Sequence, residues 1–374
     1  MKIGISCYPT HGGSGVVASE LAIQLANSGH EVHILSYATP FRLTEYHPNI
    51  LLHDIEVGIY PLFKYPPYAL GLATKMAEVA SDYKLDILHA HYAVPHATSA
   101  YLAKQIVGED KLKIVTTLHG TDITLTGADP SFSRVVKFSI EQSDGVTAVS
   151  NYLRDRTCEE FEIEKDKIDV IYNFIDANRG MRRPTACKRS QYAKNGEKIL
   201  MHASNFRPVK RTTDVVRIFQ KVREQLPAKL LLVGEGPDRI LVQQVIRDLG
   251  IKDDVIFLGQ VDFIDDLLKC ADIFLLPSEQ ESFGLAALEA MNCAVPVIGA
   301  TTGGMGEVIN DGETGFLFPV GEIAAMANAS IDLLQNPDKH KLFKENARKR
   351  AVHTFATDVI MPQWNQFYER VLSS

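Results

Sequence analysis

The stretch that decides the fold is Asp272-Ile273-Phe274-Leu275-Leu276-Pro277-Ser278, followed two residues later by Glu281-Ser282-Phe283-Gly284-Leu285-Ala286-Ala287-Leu288-Glu289. The first part is a short apolar run ended by proline, which predicts a buried strand. The second part predicts a helix, with Ser282 as its expected N-cap and Phe283 to Leu285 in its first turn. A strand that passes directly into a helix is the unit from which parallel α/β sheets are built.

Two carboxylates, those of Glu281 and Glu289, mark the ends of the second part. Eight residues of helix rise roughly 12 Å, so the two carboxylates cannot hold one small group. N–H groups at a helix start attract an anion, and Gly284 lets a ligand come close. The pattern indicates an elongated ligand with hydroxyls at both ends and a diphosphate between them, which describes a nucleotide-sugar. Two glutamates on a solvent-facing helix surface remain the alternative.

Strand-like apolar runs alternate with amphipathic stretches of helical length along the whole chain. This alternation predicts parallel sheets with right-handed crossovers, and two such series in tandem predict two doubly wound domains. The strands are predicted at residues 3–7, 31–36, 50–56, 86–89, 113–118, 145–149 and 168–172, and at 198–202, 229–233, 255–258, 273–276, 296–298 and 315–318.

The domain boundaries follow from this alternation and from the length of 374 residues, which exceeds what one core usually serves. We place the first domain at residues 1–172, a linker region at 173–192 and the second domain at 193–354. The linker is basic and aperiodic (Arg179, Arg182, Arg183), as an exposed connector would be. A C-terminal helix at 355–374 either crosses back to the first domain or caps its own.

Composition narrows the class of protein. Apolar content of 45% and charged content of 23% are ordinary for a globular protein, and the net charge is −7. Nucleic acid and anionic membranes are therefore not expected as partners. Five scattered cysteines without a Cys-x-x-Cys pair argue against a zinc site and a disulfide framework. With a strand predicted at residue 3 and no apolar run of 18 residues, we expect a cytoplasmic protein.

Two further patterns follow predicted strands and suit a diphosphate. Gly13, Ser14 and Gly15 form a turn whose N–H groups can face an anion, without the spacing of a dinucleotide-cofactor fingerprint. Arg207 and Lys210 follow the first strand of the second domain, where cations suit phosphate oxygens. A purely structural turn and a solvent-exposed basic turn are the alternatives.

Histidines stand at the ends of two predicted strands of the first domain. His119 follows one strand, and His89-Ala90-His91-Tyr92 closes another. A buried structural histidine is the alternative reading for His119. No acidic or cysteine partner stands at ligand spacing, and no Asp-x-Asp pair occurs in the chain. We therefore expect no metal and no cofactor.

The stretch from Glu281 to Glu289 resembles the Glu-x7-Glu signature of the retaining glycosyltransferases of family 4. The resemblance implies the GT-B fold, in which two Rossmann-like domains face a central cleft, and a metal-independent enzyme that takes a UDP-sugar. It implies that Glu289 binds the ribose and that His119 and Glu281 are catalytic-site residues. The implied donor-sugar contacts are Glu281, Ser282, Phe283, Gly284 and Leu285, and the implied diphosphate contacts are Gly13, Ser14, Gly15, Arg207 and Lys210.

One departure from the family pattern stands in the basic turn. The family usually has Gly-Arg-x4-Lys there, whereas this chain has Asn205 at the arginine position, keeps Lys210 and offers Arg207 instead. Two glycine turns, at residues 233–237 and 257–259, resemble the nucleoside pocket of the family. The family resemblance and the lack of a poised nucleophile favour front-face transfer with retention, in which the acceptor hydroxyl gives its proton to the leaving phosphate.

The resemblance extends to the acceptor. Residues 7–15, 89–96 and 204–211 resemble family members that join N-acetylglucosamine from UDP-N-acetylglucosamine to the hydroxyl of L-malate, the first step of bacillithiol biosynthesis. A dicarboxylate acceptor needs cations. Arg134 is the leading candidate because a related transferase with a phosphorylated acceptor has an arginine in the corresponding place, and a surface helix charge is the alternative. Tyr92 and Lys64 are the further expected contacts. A different acceptor or a UDP-N-acetylglucosamine 2-epimerase remains open, and so does a homo-oligomer.

Overall fold

A computed structural model describes residues 1–9, 12–58, 61–62, 64–108, 112–127, 129–177, 188–194, 196–261 and 264–374. The chain divides into two compact units, one made of Met1–Asn173 with Ile360–Ser374 and the other of Phe174–Val359. The predicted basic connector at Arg179, Arg182 and Arg183 lies outside the described residues.

The first unit is built on a parallel sheet of seven strands in the order β3-β2-β1-β4-β5-β6-β7. The strands are β1 Lys2–Ser6, β2 Glu31–Ser36, β3 Ile50–Asp54, β4 Ile87–His91, β5 Lys113–Leu118, β6 Gly145–Ala148 and β7 Ile168–Val170. The helices are α1 Gly13–Asn27, α2 Tyr68–Tyr83, α3 Thr98–Val107, α4 Ser133–Glu141 and α5 Asn151–Phe161. The central strands are buried along their length, as strands covered on both faces should be.

The second unit is built on a parallel sheet of six strands in the order β10-β9-β8-β11-β12-β13. The strands are β8 Lys198–Ala203, β9 Ala228–Val233, β10 Val255–Gly259, β11 Ile273–Leu276, β12 Val297–Ala300 and β13 Gly315–Phe318. The helices are α6 Thr212–Arg223, α7 Arg239–Asp248, α8 Asp265–Leu268, α9 Leu285–Asn292, α10 Met305–Val308, α11 Ile323–Gln335, α12 Pro337–Phe355 and α13 Thr357–Ser373, of which the last continues into the first unit.

Both sheets reverse their strand order beside the first strand, β1 in one unit and β8 in the other. In doubly wound sheets the ligand site lies at the carboxyl ends of the strands at this switch point. The predicted fold class, two Rossmann-like α/β domains with parallel sheets, is confirmed. Each of the thirteen predicted strands corresponds to an observed one, with ends that differ by a few residues.

The last residues of the chain, Ile360–Ser374, belong to the first unit. Trp364 and Tyr368 are buried, and the Tyr368 hydroxyl lies 2.8 Å from His89 Nδ1 on β4. The helix also lies close to β6, since a Cβ on Gly145 would stand 2.6 Å from Val371 Cγ2. Glycine at this position therefore lets the helix approach the sheet.

The described cysteines differ in their bonding. Cys7, Cys158 and Cys293 are free, whereas Cys270 is disulfide-bonded. Within the described part of the chain, no helix combines the length and the apolar character that crossing a membrane requires.

Candidate functional site

In the second unit, the loops after β8 and β11 lie side by side because these strands are neighbours at the switch point. The Glu279 N–H donates to the Val209 carbonyl across 2.7 Å and joins the two loops. The first loop contains the basic turn, and the second contains the glutamate that precedes α9. The sheet topology therefore brings two separately predicted patterns together at one edge.

The two patterns meet in an ion pair. Lys210 Nζ lies 2.6 Å from Glu281 Oε1 and donates a hydrogen bond to it. The Glu281 side chain is only 11% exposed and that of Lys210 22%, so the charges are largely withdrawn from water. Arg207 precedes the short helical turn Pro208–Lys210 and is exposed. Cationic and anionic groups are thus held together where the sheet topology favours ligand binding.

The start of the following helix differs from the sequence prediction. Helix α9 begins at Leu285, and Gly284 rather than Ser282 is its N-cap, without a side-chain capping bond. Gly284 has φ +97°, and a Cβ there would stand 2.6 Å from Met305 Sδ. The predicted role of Ser282 as N-cap is therefore wrong, because a glycine in a left-handed conformation makes the turn instead. Gly284 has no side chain that could cap the N–H groups of the first helical turn.

The loop after β12 supports the loop that carries Glu281. Sequence reasoning assigned it no role. After β12, the Thr302 hydroxyl donates to the Glu279 carbonyl at 2.8 Å, and the Gly304 N–H donates to the Glu281 carbonyl at 2.9 Å. The backbone on both sides of the Glu281 side chain is thereby fixed. The sequence feature that could have indicated this supporting loop is the Thr-Thr-Gly-Gly run directly after a strand.

His202, on β8, is a second residue without a predicted role. Its Nδ1 lies 2.8 Å from the Leu275 carbonyl and its Nε2 lies 2.8 Å from the Ser204 hydroxyl. A carbonyl only accepts, so Nδ1 carries the proton and Nε2 accepts from Ser204. Burial lowers the pKa of His202 to about 4, which keeps the ring neutral. The ring therefore ties the end of β8 to the end of β11.

The glycine turn after β9 packs tightly against the loop after β8. A Cβ on Gly234 would stand 1.9 Å from the Ser204 carbonyl oxygen, and one on Gly236 would stand 1.9 Å from that of Asn205. No side chain fits at either position. The glycines predicted from the nucleoside-pocket pattern are thus required by close contact between the two loops.

In the first unit, His119 follows β5 and lies in a cluster of aromatic side chains. His91, at the end of the neighbouring strand β4, has its Nδ1 2.9 Å from His119 Nε2. The Tyr92 ring lies 5.3 Å from that of His119, and its hydroxyl accepts a hydrogen bond from Thr121. Burial lowers the pKa of His119 to about 3, so its imidazole is neutral near pH 7.

A buried carboxylate holds the backbone of this cluster. Asp122 Oδ1 accepts from the N–H groups of His119 and Gly120 at 3.2 and 2.8 Å, and Oδ2 accepts from that of Ala93 at 3.4 Å. Burial raises the pKa of Asp122 to about 6, against the opposing effect of these N–H donors. Asp122 joins the strand ends that carry His119 and Tyr92, and sequence reasoning did not identify it.

The other predicted residues of the first unit lie in different settings. Gly13, Ser14 and Gly15 form the first turn of α1, and the N-cap Gly12 has no side chain to bond their N–H groups. Arg134 is the second residue of α4 and is exposed. Lys64 is also exposed, with its Nζ 5.4 Å from the ring centroid of Tyr65. Among the described residues, no group of three metal-ligating side chains is placed to hold an ion.

Two families match the two halves of the chain. Residues 11–179 match the family described as Glycosyltransferase Family 4, and residues 186–350 match Glycosyl transferases group 1. The chain is 50% identical over 373 residues to N-acetyl-alpha-D-glucosaminyl L-malate synthase of Bacillus anthracis, a match that covers 100% of this chain and 97% of that protein. It is 26% identical to D-inositol 3-phosphate glycosyltransferase of Nocardia farcinica, over 88% of this chain and 78% of that protein.

Solved structures agree with the fold. A glycosyltransferase from Rickettsia africae superposes with a TM-score of 0.81 at 24% identity, covering 99% of this chain and 98% of that one. Anabaena HepE in complex with UDP and glucose superposes with a TM-score of 0.82 at 21% identity, covering 98% of each chain.

Proposed function

Because the chain belongs to the family 4 glycosyltransferases, we propose that it transfers N-acetylglucosamine from UDP-N-acetylglucosamine to the hydroxyl of L-malate and releases UDP. The observation that carries the proposal is the 50% identity, over the full length, to the malate synthase of B. anthracis. The reaction would be the first step of bacillithiol biosynthesis.

The second unit supplies the chemistry that a nucleotide-sugar donor needs. Lys210 and Arg207 provide positive charge for the diphosphate, and Glu281 accepts hydrogen bonds from sugar hydroxyls. Glu289 lies two turns further, within α9, where it is half-buried, and it is the proposed ribose contact. Phe283, Gly284 and Leu285 bring backbone N–H groups to the same edge, with Ser282 beside them.

The ion pair between Lys210 and Glu281 also suggests how the donor is recognised. Each group neutralises the other in this ion pair. A donor brings phosphate oxygens to the lysine and hydroxyl donors to the glutamate, so both charges find new partners together. A ligand with only one of these groups would leave the other charge without a new partner.

The departing diphosphate develops negative charge in the transition state. Fixed cations and N–H dipoles stabilise that charge without having to reorganise. His119 is neutral and provides no charge of its own, which suits a contact to the sugar rather than to the phosphate. The acceptor hydroxyl then attacks from the side of the leaving phosphate and passes its proton to it, so the anomeric configuration is retained.

Tyr92, Arg134 and Lys64 are the proposed acceptor contacts, and Gly13, Ser14 and Gly15 are the proposed contacts to the diphosphate.

The experiment offers UDP-N-acetylglucosamine with L-malate, D-malate, L-lactate, glycerate, inositol 3-phosphate or no acceptor, and analyses the products by mass spectrometry. We expect a glycoside of malate and an equal amount of UDP. A glycoside of inositol phosphate alone would assign a different acceptor. Conversion of the donor to its 2-epimer without acceptor would contradict the proposal.

A further inference from the structure

His91 and His119 share a hydrogen bond between two imidazole nitrogens. His91 Nδ1 lies 2.9 Å from His119 Nε2, and the rings are stacked with centroids 5.1 Å apart. The contact follows from the sheet, because β4 and β5 are neighbours and His91 stands opposite Thr117, two residues before His119. His91 is not among the proposed donor or acceptor contacts.

Each of the two rings carries a single N–H. Burial lowers the pKa of His119 to about 3, and it lowers the pKa of His91 well below its usual range. Neither ring is therefore protonated near pH 7. A hydrogen bond between two neutral imidazoles needs one N–H and one bare nitrogen, so one ring donates and the other accepts.

The surroundings of His91 decide which ring donates. His91 is fully buried, and among the described residues its Nε2 has no hydrogen-bond partner. A proton on Nε2 would leave a buried N–H unsatisfied, which is rarer and more costly in folded proteins than an unsatisfied acceptor. The proton of His91 accordingly lies on Nδ1 and points at His119 Nε2. His119 Nε2 is then bare, and the proton of His119 lies on Nδ1.

We propose that His91 is a positioning residue that fixes His119 as the Nδ1-protonated tautomer. The Nδ1 of His119 is then an N–H donor rather than a lone pair. A sugar hydroxyl oxygen accepts such a bond. The functional part of this inference rests on the proposed function, since that assigns His119 to the sugar donor.

His91 is itself held in place from the other side. Its ring stacks on that of His89 with centroids 4.4 Å apart. His89 Nδ1 lies 2.8 Å from the Tyr368 hydroxyl, and its Nε2 lies 2.7 Å from Thr117 Oγ1. The ring beneath His91 is therefore fixed by two hydrogen bonds, which favours one orientation of His91.

The test is the tautomer of His119, read from the ¹⁵N shifts of histidine-labelled protein near pH 7. The His119 signal is identified by its loss in His119→Gln. We expect the wild-type protein to show a protonated Nδ1 and a bare Nε2. A bare Nδ1 and a protonated Nε2 would overturn the proposal. This measurement needs no variant at position 91, so it stands even if such a variant fails to fold.

Two substitutions separate the hydrogen bond from the bulk of the side chain. Asparagine places an amide N–H close to the imidazole Nδ1, so His91→Asn should keep the His119 tautomer and keep kcat within about threefold. His91→Leu fills the space without a donor and should move His119 toward the Nε2-protonated tautomer. We expect it to lower kcat by about 10- to 100-fold, with little change in the KM for the donor. An unchanged tautomer and kcat in His91→Leu would contradict the role of His91.

His33 provides a matched control. It is fully buried in the same sheet, and its Nδ1 lies 2.9 Å from the Nε2 of another histidine, His53. His33→Leu should lower stability while leaving both the His119 signals and kcat unchanged. A change of the His119 tautomer in this variant would mean that buried histidines act through stability alone and would overturn the proposal. The tautomer is measured without substrate, so a failure of the proposed acceptor is distinguished from a failure of this inference.

Discussion

Lys210 and Glu281 are 71 residues apart in sequence, and their side chains form an ion pair of 2.6 Å between the loops that follow β8 and β11. This pair is the point where the cationic turn and the glutamate signature meet. In the proposed function, each group leaves the other when the donor binds: Lys210 then contacts the diphosphate and Glu281 contacts the sugar hydroxyls. Substitutions at either residue should therefore affect binding and turnover together.

Lys210→Met should lower kcat/KM for the donor by about 100-fold or more, because the diphosphate loses a charge-assisted contact. The melting temperature should also fall, since Glu281 is left partly buried without its partner. Steady-state kinetics and thermal unfolding measure the two effects.

Lys229→Met is the matched control for this substitution. Lys229 lies 2.7 Å from Asp254 in the same unit, with side-chain exposures of 18% and 13%, close to those of Lys210 and Glu281. It should lower stability, by less than Lys210→Met because Asp254 keeps its ion pair with Arg223, and leave kcat/KM unchanged. An equal kinetic loss in both variants would show that Lys210 acts through stability.

Gly284→Ala should destabilise the protein by about 1–3 kcal/mol, because φ is +97° and the new Cβ would meet Met305 Sδ. The loop of Glu281 must then shift, so kcat/KM for the donor should fall as well. Urea unfolding and kinetics provide the measurement. Gly312→Ala is the control, since Gly312 has φ +76° with no atom within 4 Å of the added Cβ and should affect stability alone. A Gly284→Ala variant with unchanged kinetics would remove the role assigned to this turn.

Arg134→Ala should raise the KM for malate by roughly 10- to 100-fold, the effect of losing one hydrogen bond to a charged group. The affinity for UDP should remain within about twofold, because the acceptor contact is separate from the donor contacts. Lys137→Ala, one turn further on the same helix, should change neither value. A loss of UDP affinity in Arg134→Ala would show that the acceptor assignment is wrong.

Acidification should destabilise the first unit through its buried histidines. Burial lowers the pKa of His89 to about 3, from about 6.5 in the unfolded chain. The stability that His89 contributes is therefore complete above pH 6.5 and is lost as the pH falls toward 3. Between pH 7 and pH 5 this amounts to about 2 kcal/mol. Urea unfolding measures the free energy of unfolding at both pH values. The difference between pH 7 and pH 5 should be smaller by that amount in His89→Asn than in the wild-type protein, and an unchanged difference would contradict the assignment.

The strands and the fold class were predictable from sequence because they depend on local patterns. Continuous apolar runs such as that of residues 273–276 identify buried strands wherever they stand in the chain. The alternation of strand and helix then restricts the topology to parallel sheets. The pairing of Lys210 with Glu281 follows from the observed strand order, in which β8 and β11 are neighbours.

The remaining features depend on contacts between distant parts of the chain. Ser282 fits the N-cap pattern, but Gly284, with φ +97° and too little space beside Met305 for a side chain, is the N-cap. Asp122 and His202 are ordinary residues in sequence, and only neighbouring strands give them their partners. The bond between His91 and His119 likewise needs two strands side by side. Sequence patterns identify the residue types of the site, whereas the supporting contacts require the fold.

The most direct test of the central claim is the NMR spectrum of the product that chelator-treated protein forms from UDP-N-acetylglucosamine and L-malate. The account predicts full turnover and an α-linked N-acetylglucosaminyl malate. A β-linked product, or turnover that returns only when a divalent metal ion is added, would contradict it.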